Sequence, residues 1–271
     1  MGSKTVVLIT GGNTGIGYES VKALYASPKA HTILMGSRSL DKAKDAIAQL
    51  QNEVPGSKSE VFPLQIDIED DESIVNAYKE VEQKWGKVDA LVNNAGGAFD
   101  PIMNSKPGAE GIREAWNKAY SVNVTSTQVF TTQFIPLLLA SSSPRLLFIT
   151  SGLSSLKTCA DGRVTAMSSG PPPKGWPKKL PPSMVAYRSS KTALNMMMLD
   201  WARLLEPDGV NVFCISPGFL ATNLGGMGAS FLKNVGAGDP SVGGNFIKDV
   251  VEGKRDGDKS QVINKDGVQP W

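Results

Sequence analysis

Thr5-Val6-Val7-Leu8-Ile9-Thr10-Gly11-Gly12-Asn13-Thr14-Gly15-Ile16-Gly17 is the stretch that decides the fold. Residues 5–10 form a short apolar run rich in β-branched side chains, the signature of a strand buried on both faces. A glycine-rich turn follows, and residues 18–26 then have helical character. Strand, glycine loop and helix in this order give such a loop its meaning. The glycines permit a tight turn and let backbone approach a pyrophosphate, while the helix start supplies N–H donors and a positive dipole end. Gly11, Asn13, Thr14, Gly15, Ile16 and Gly17 are therefore candidate dinucleotide-binding residues.

Working outward, the pattern repeats. Residues 31–35 read as a second strand, 40–52 as a helix, 60–66 as a third strand ending at Asp67, and 71–85 as a helix with Ile74, Val75, Tyr78, Val81 and Trp85 on its apolar face. Residues 88–92 are a fourth strand leading into Asn93-Asn94-Ala95-Gly96-Gly97. Alternating strands and helices without repeats predict an α/β, doubly wound parallel sheet. Residues 110–140 are mostly helical, with Asn123 inside and Pro136 permitting a kink. Strands are expected at 146–150, 211–215 and 260–264, and helices at 184–205 and 242–251; residues 225–244 are glycine-rich. No linker or composition shift interrupts the chain, so residues 1–271 are expected to form a single domain.

The end of the second strand bears on cofactor choice. Ser37 lies twenty positions after Gly17, where NAD-binding folds place a carboxylate for the ribose 2′-hydroxyl. Here the sequence is Gly36-Ser37-Arg38-Ser39, with no acid. A guanidinium and small hydroxyls suit a 2′-phosphate, which a carboxylate would repel. NADP(H) is thus expected over NAD(H), with Ser37 and Arg38 as contacts.

Bulk composition excludes several classes. The 271 residues are 41% hydrophobic and 20% charged, with a net charge of +2. That is an ordinary soluble balance with no electrostatic case for nucleic acid or an anionic membrane. Cys159 and Cys214 make neither a disulfide framework nor a zinc site, and both are expected to be packing residues in a reducing compartment. His31 is the only histidine, which leaves no multi-histidine metal site; it stands beside the apolar run 32–35 and is expected to be structural. The start of the chain has no signal-peptide pattern, and Val6 occupies the position where a myristoylation signal needs Ser or Thr. A cytoplasmic location is expected.

Tyr187-Arg188-Ser189-Ser190-Lys191 supplies the chemistry. The spacing puts Tyr187 and Lys191 on one helical face. A fixed ammonium near a phenol favours the phenolate, so the tyrosine pKa is expected to be pulled toward neutrality, making a usable acid or base.

Together these pieces resemble the short-chain dehydrogenase/reductase family. The resemblance rests on Thr10–Gly17, Asp67, Asn93–Gly96, Asn123, Ser151, Tyr187–Lys191 and Pro217–Thr222, in that order. It implies a Rossmann fold with a seven-stranded parallel sheet. It also implies that Tyr187 protonates a carbonyl oxygen, that Lys191 lowers the tyrosine pKa and holds ribose hydroxyls, and that Ser151 hydrogen-bonds the substrate oxygen, with Ser154 and Ser155 as rivals. Asn123 would hold a water linking Lys191 to solvent. Asp67 and Asn93 would border the adenine, with Ile68, Ala95 and Gly96 in the same cofactor-binding set. Thr222 and the backbone of Gly218–Leu220 would hold the carboxamide, with Pro217 in the cofactor-binding set. Asp89 reads as structural.

The chain departs from the family between Ser151 and Tyr187, where residues 152–183 form a proline-rich, basic excursion. A similar insertion occurs in monomeric carbonyl reductases, so a monomer is expected. The excursion also lies beside the site, with Trp176, Phe99, Met103, Phe219 and Met227 as candidate apolar walls. The activity expected is NADPH-dependent reduction of a hydrophobic ketone or aldehyde. The alternatives are an alcohol dehydrogenase working oxidatively with NAD(P)+, and a non-catalytic NADP(H) sensor on the same fold.

Overall fold

The computed structural model describes residues 4–162, 173–176, 178 and 184–271. Its first half is built from β1 (Thr5–Ile9), α1 (Gly15–Tyr25), β2 (His31–Ser37), α2 (Leu40–Glu53), β3 (Glu60–Gln65), α3 (Asp71–Trp85) and β4 (Ala90–Asn93). Then come the short α4 (Ile102–Ser105), α5 (Ala109–Tyr120), a π-helical stretch (Ser121–Ser126), α6 (Thr127–Leu139) and β5 (Arg145–Ile149). A single 3-10 turn (Gly152–Ser154) and α7 (Leu156–Ala160) precede the long α8 (Val185–Leu205). The chain continues through β6 (Asn211–Ile215), α9 (Ala229–Asn234), α10 (Pro240–Val251), β7 (Val262–Asn264) and β8 (Gly267–Val268).

The strands form one sheet in the order β3-β2-β1-β4-β5-β6-β7-β8. The first seven are parallel, as expected of a Rossmann fold. The eighth corrects the seven-stranded expectation. β8 runs antiparallel to β7 through the two-residue turn Lys265-Asp266, with Asn264 paired to Gly267. The Asx turn that starts it, Asp266 N–H to Asn264 Oδ1 at 2.9 Å, and the glycine that ends it make this addition possible within four residues.

Both faces of the sheet are covered. On β1, Val6 and Leu8 join the core beneath α3, α6 and α8, whereas Val7 and Ile9 join the core beneath α1, α2 and α10. This is the period-two division that a doubly buried strand requires. α1 and α10 approach closely because α10 presents glycine. A Cβ on Gly244 would lie 2.4 Å from the Glu19 backbone, and one on Gly243 would lie 2.7 Å from Leu220 Cδ1. Asp89 is structural, as expected: its carboxylate accepts from Val6 N at 2.8 Å and from Lys87 Nζ at 2.9 Å.

The strand order reverses between β1 and β4, which opens a crevice at the carboxyl ends of the strands. His31 lies at the opposite end, 2% exposed, with Nε2 3.3 Å from Glu252 Oε1 and Nδ1 unpartnered. Burial lowers the imidazole pKa, Glu252 opposes that and Lys29 adds to it. The unfolded chain therefore binds a proton at a higher pH than the folded one, so stability falls as pH drops below about 6.5. Thermal denaturation at pH 7.5 and 5.5 should show this loss, and His31→Gln should lessen it.

One sequence expectation changes in the second half. Cys214 is buried, but Cys159 is exposed, because it stands on α7, outside the two cores. α7 and the turn before it, together with α4 and α9, are short elements without enough periodicity to be read from sequence. The polyproline stretch 168–173 lies, apart from Pro173, outside the described residues. Among the described residues, no helix is long and apolar enough to cross a membrane.

Candidate active site

The glycine loop fits an anionic ligand. Gly11 and Gly15 have φ of 63° and 56°, conformations that side chains rarely adopt. Thr14, at the N-cap of α1, places no side chain on the first N–H groups, which are thus left for a ligand. Across the crevice stands Thr222, whose Cβ would be 3.8 Å from a Cβ built on Gly15. Gly17 is the tightest point. A Cβ there would lie 2.2 Å from Gly11 O and 2.5 Å from Asn94 Nδ2. Asn94 itself ties the loop down, donating to Thr10 O at 2.8 Å and Gly11 O at 3.2 Å, while Thr10 Oγ1 accepts from the N–H groups of Asn94 and Ala95 at 3.0 Å each. Thr10 and Asn94 act as a clasp between β1 and β4 that the sequence did not reveal, because its partners are 84 residues apart.

The other expected cofactor residues line the same edge. Ser37 closes β2, 4% exposed, and Arg38 projects beyond it. Asp67 and Ile68 follow β3; Asp67 Oδ1 accepts from Glu69 N at 3.0 Å. Asn93 turns its amide inward to Thr131 Oγ1 at 3.1 Å, leaving only its backbone to the crevice. Gly96 is close to the chemistry, since a Cβ there would lie 2.8 Å from Asn123 Oδ1 and 3.3 Å from Lys191 Nζ. Pro217, Gly218 and Leu220 leave β6; Leu220 packs its side chain against Gly243 and Gly238, so only its backbone faces the site.

Three elements bring the four candidate catalytic groups together. α8 carries Tyr187 and Lys191 on one face, with Lys191 Nζ 5.8 Å from the tyrosine ring centre. The end of β5 brings Ser151, whose Oγ accepts from Leu153 N at 3.1 Å and which lies near enough to the Tyr187 phenol to lower its pKa. Its rivals are committed elsewhere: Ser154 Oγ donates to Ser151 O at 2.6 Å and accepts from Asn195 Nδ2 at 2.9 Å, and Ser155 Oγ donates to Trp271 O at 3.2 Å. Asn123 stands in the π-helical stretch, fully buried. Its amide donates to Gly97 O and Ser190 Oγ, both at 2.9 Å, and its Oδ1 accepts from Gly97 N at 2.9 Å. The departure from α geometry in this long helical region falls at Asn123, where a π-bulge re-aims one side chain; Pro136 lies within the last turn of α6.

The electrostatics correct one expectation. Tyr187, 6% exposed, is not pulled toward neutrality; its pKa is pushed up to about 12 by burial, with Ser151 opposing and the Asp100 carboxylate adding to the rise. Burial outweighs the nearby Lys191, whose Nζ donates to Ile149 O at 2.7 Å. Burial lowers the Lys191 amine to about 8, with Cys214 opposing. The pair thus holds a phenol that keeps its proton beside an amine that titrates near neutrality. Such a phenol is a donor rather than a base.

The residues expected as apolar walls differ in exposure. Phe219 and Met227 are 53% and 42% exposed, and Trp176 is 88% exposed. Phe99 packs against the core and Met103 sits on α4. The segment after β6 is closed at its neck by Ala221 N–H to Gly238 O and Gly238 N–H to Phe219 O, both at 2.9 Å, and Gly225 rests against Ala98. This loop covers the turn after β4.

Comparison with known proteins agrees with this geometry. The family model for short chain dehydrogenases matches residues 5–229. The chain is 50% identical over 280 residues to the short-chain dehydrogenase/reductase eupG of Phoma sp, covering all of this chain and 99% of that protein. It is 44% identical over 275 residues to the short-chain dehydrogenase/reductase tropE of Talaromyces stipitatus, again covering 100% and 99%. Among solved structures, the NADPH-bound carbonyl reductase from chicken fatty liver superimposes with a TM-score of 0.76 at 19% identity, covering 100% of both chains.

Proposed function

The chain belongs to the short-chain dehydrogenase/reductase family of oxidoreductases, and from that premise we propose that it reduces the ketone or aldehyde carbonyl of a hydrophobic small molecule at the expense of NADPH. The observation that carries this reading is the buried Tyr187 phenol, with Ser151 beside it and Lys191 Nζ 5.8 Å from its ring centre. When bound, the cofactor supplies the hydride that adds to the carbonyl carbon. Tyr187 gives its proton to the carbonyl oxygen, which becomes a hydroxyl, and Ser151 donates a hydrogen bond to that oxygen as charge develops. Lys191 stabilises the phenolate left behind, and Asn123 holds the turn at Gly97 against α8. A tyrosine that holds its proton is in the form that carbonyl reduction requires.

The chain is read as one cytoplasmic nucleotide-binding domain. The exposed Phe219, Met227 and Phe231 support an apolar substrate. Cofactor oxidation measured against diketones, quinones and aromatic ketones tests the activity. Tight NADPH binding without turnover on any of them would instead favour a sensor.

Preference for NADPH rests on Arg38 and on the absence of an acid after β2. Arg38→Asp should weaken NADPH binding by about 10- to 150-fold, the loss of a hydrogen bond between charged groups together with a new repulsion. NADH affinity should change less than about threefold by the same accounting. Equal losses would remove the preference. Light scattering at micromolar concentration is expected to report a monomer. A stable dimer would instead place the α6–α8 face, where Val129 and Met196 are exposed, in a subunit contact.

A further inference from the structure

α8 begins without a cap of its own. Its N-cap residue, Met184, has φ 52°, which is uncommon for a residue other than glycine, and offers no side-chain acceptor to the first turn. The acceptor comes from 86 residues away. Asp100, 5% exposed in the loop between β4 and α4, accepts from Ala186 N at 2.9 Å through Oδ1 and from Tyr187 N at 3.0 Å through Oδ2. Two backbone donors share one carboxylate, and one of them belongs to the tyrosine.

We propose that Asp100 is the positioning residue of this site: its carboxylate fixes the first turn of α8 from across the crevice and thereby sets where the Tyr187 hydroxyl stands. The proposal rests on Tyr187 being the proton donor. A carboxylate at a helix start satisfies orphan N–H groups and complements the dipole. A negative charge beside a phenol also disfavours the phenolate. The other groups facing Tyr187 do not supply that charge. Ser151 reaches it from β5, and Lys191 lies on its own helix. Cys214 on β6 is buried beside Lys191. Arg188 Nε donates to Leu153 O at 3.2 Å, and Lys118 of α5 sits over the Phe99 ring at 5.4 Å. Asp100 is the one acid among them.

The loop that bears Asp100 also bears the turn held by Asn123. Gly97 is bonded to Asn123 through both its N–H and its carbonyl, and Asp100 follows three residues later. The loop after β4 therefore grips the π-helical stretch on one side and the start of α8 on the other. A cofactor-edge loop and the proton donor are thereby held in one frame.

Two variants separate the parts of this role. Asp100→Asn keeps an acceptor oxygen and removes the charge; Asp100→Ala removes both. Amide hydrogen exchange across residues 184–190 should rise by roughly 5- to 30-fold in Asp100→Ala, the equilibrium equivalent of one lost cap, and by less in Asp100→Asn. Turnover of carbonyl reduction should fall by roughly 10- to 100-fold in Asp100→Ala and by less in Asp100→Asn, with KM and cofactor affinity unchanged. That split is one a purely structural residue would not produce. Exchange at the wild-type rate in Asp100→Ala, or undiminished turnover in that variant, would overturn the assignment. The two readings fail separately, since undiminished turnover in Tyr187→Phe would overturn the donor role, whereas exchange is read without turnover.

Discussion

Tyr187→Phe is expected to lower the turnover number for carbonyl reduction by about 10²- to 10⁴-fold, the range that a positioned proton donor contributes. The substitution deletes one oxygen and leaves the ring. That ring is 6% exposed, and the two N–H bonds to Asp100 belong to the backbone, so α8 keeps its start. Cofactor affinity should therefore hold within about threefold, because only one hydroxyl of modest net worth is lost. Fluorescence titration with NADPH and initial rates on the best carbonyl substrate separate the two effects. Turnover within about tenfold of wild type would mean that the proton comes from elsewhere. The pH profile adds a second reading. The phenol stays protonated through neutrality, its pKa pushed up to about 12 by burial. The Lys191 amine is lowered to about 8, also by burial. As pH rises past that value the ammonium is lost, and with it the charge that stabilises the phenolate formed on proton transfer. The reduction rate should accordingly be level from pH 6 to 7 and decline above about 8.

Gly17→Ala is expected to weaken NADPH binding by more than tenfold and to lower stability by about 1–3 kcal/mol, the usual cost of forcing atoms into a filled space. The space is filled by backbone. The new Cβ would lie 2.2 Å from Gly11 O and 2.5 Å from Asn94 Nδ2. Relief requires the glycine loop to move off β4, breaking the clasp of Asn94 to Thr10 O and Gly11 O. The first-turn donors of α1 then no longer converge on one anion. Gly56→Ala is the control: φ there is 79°, nothing lies within 4 Å of the added methyl, and the position is distant from the crevice in the turn before β3. It should cost only left-handed strain of about 1–2 kcal/mol and leave cofactor affinity unchanged. Denaturation melts and NADPH titration of both variants make the comparison. Wild-type affinity in Gly17→Ala would show that the loop does not carry the cofactor.

Much of this was legible in residues that are neighbours in sequence. The alternation on β1 sends Val6 and Leu8 to one core and Val7 and Ile9 to the other, and the glycine loop follows at once. The bounds expected for α3 and β6 are the ones observed, because Asp70 caps one helix within its own first turn and a continuous apolar run makes the strand. Tyr187 and Lys191 share a helical face by spacing alone. Periodicity, caps and turns are local devices, and their energies depend on residues a few positions apart.

Other features needed the third dimension. Ser151, Ser154 and Ser155 are equivalent in sequence; only packing against Asn195 and the Trp271 carbonyl removes two of them. Asn93 and Asn94 look alike, yet one turns to Thr131 inside the sheet and the other clasps the glycine loop. Asp100 carries no motif and matters because α8 starts beside it. The tyrosine pKa went against the local expectation because spacing reveals the nearby lysine but not the burial of both groups. Sequence thus determined the sheet, the cofactor-loop pattern and the face that bears the pair. Tertiary structure decided which hydroxyl meets the tyrosine, what caps its helix and how tightly its proton is held, since each depends on contacts between elements far apart in the chain and on the water they exclude.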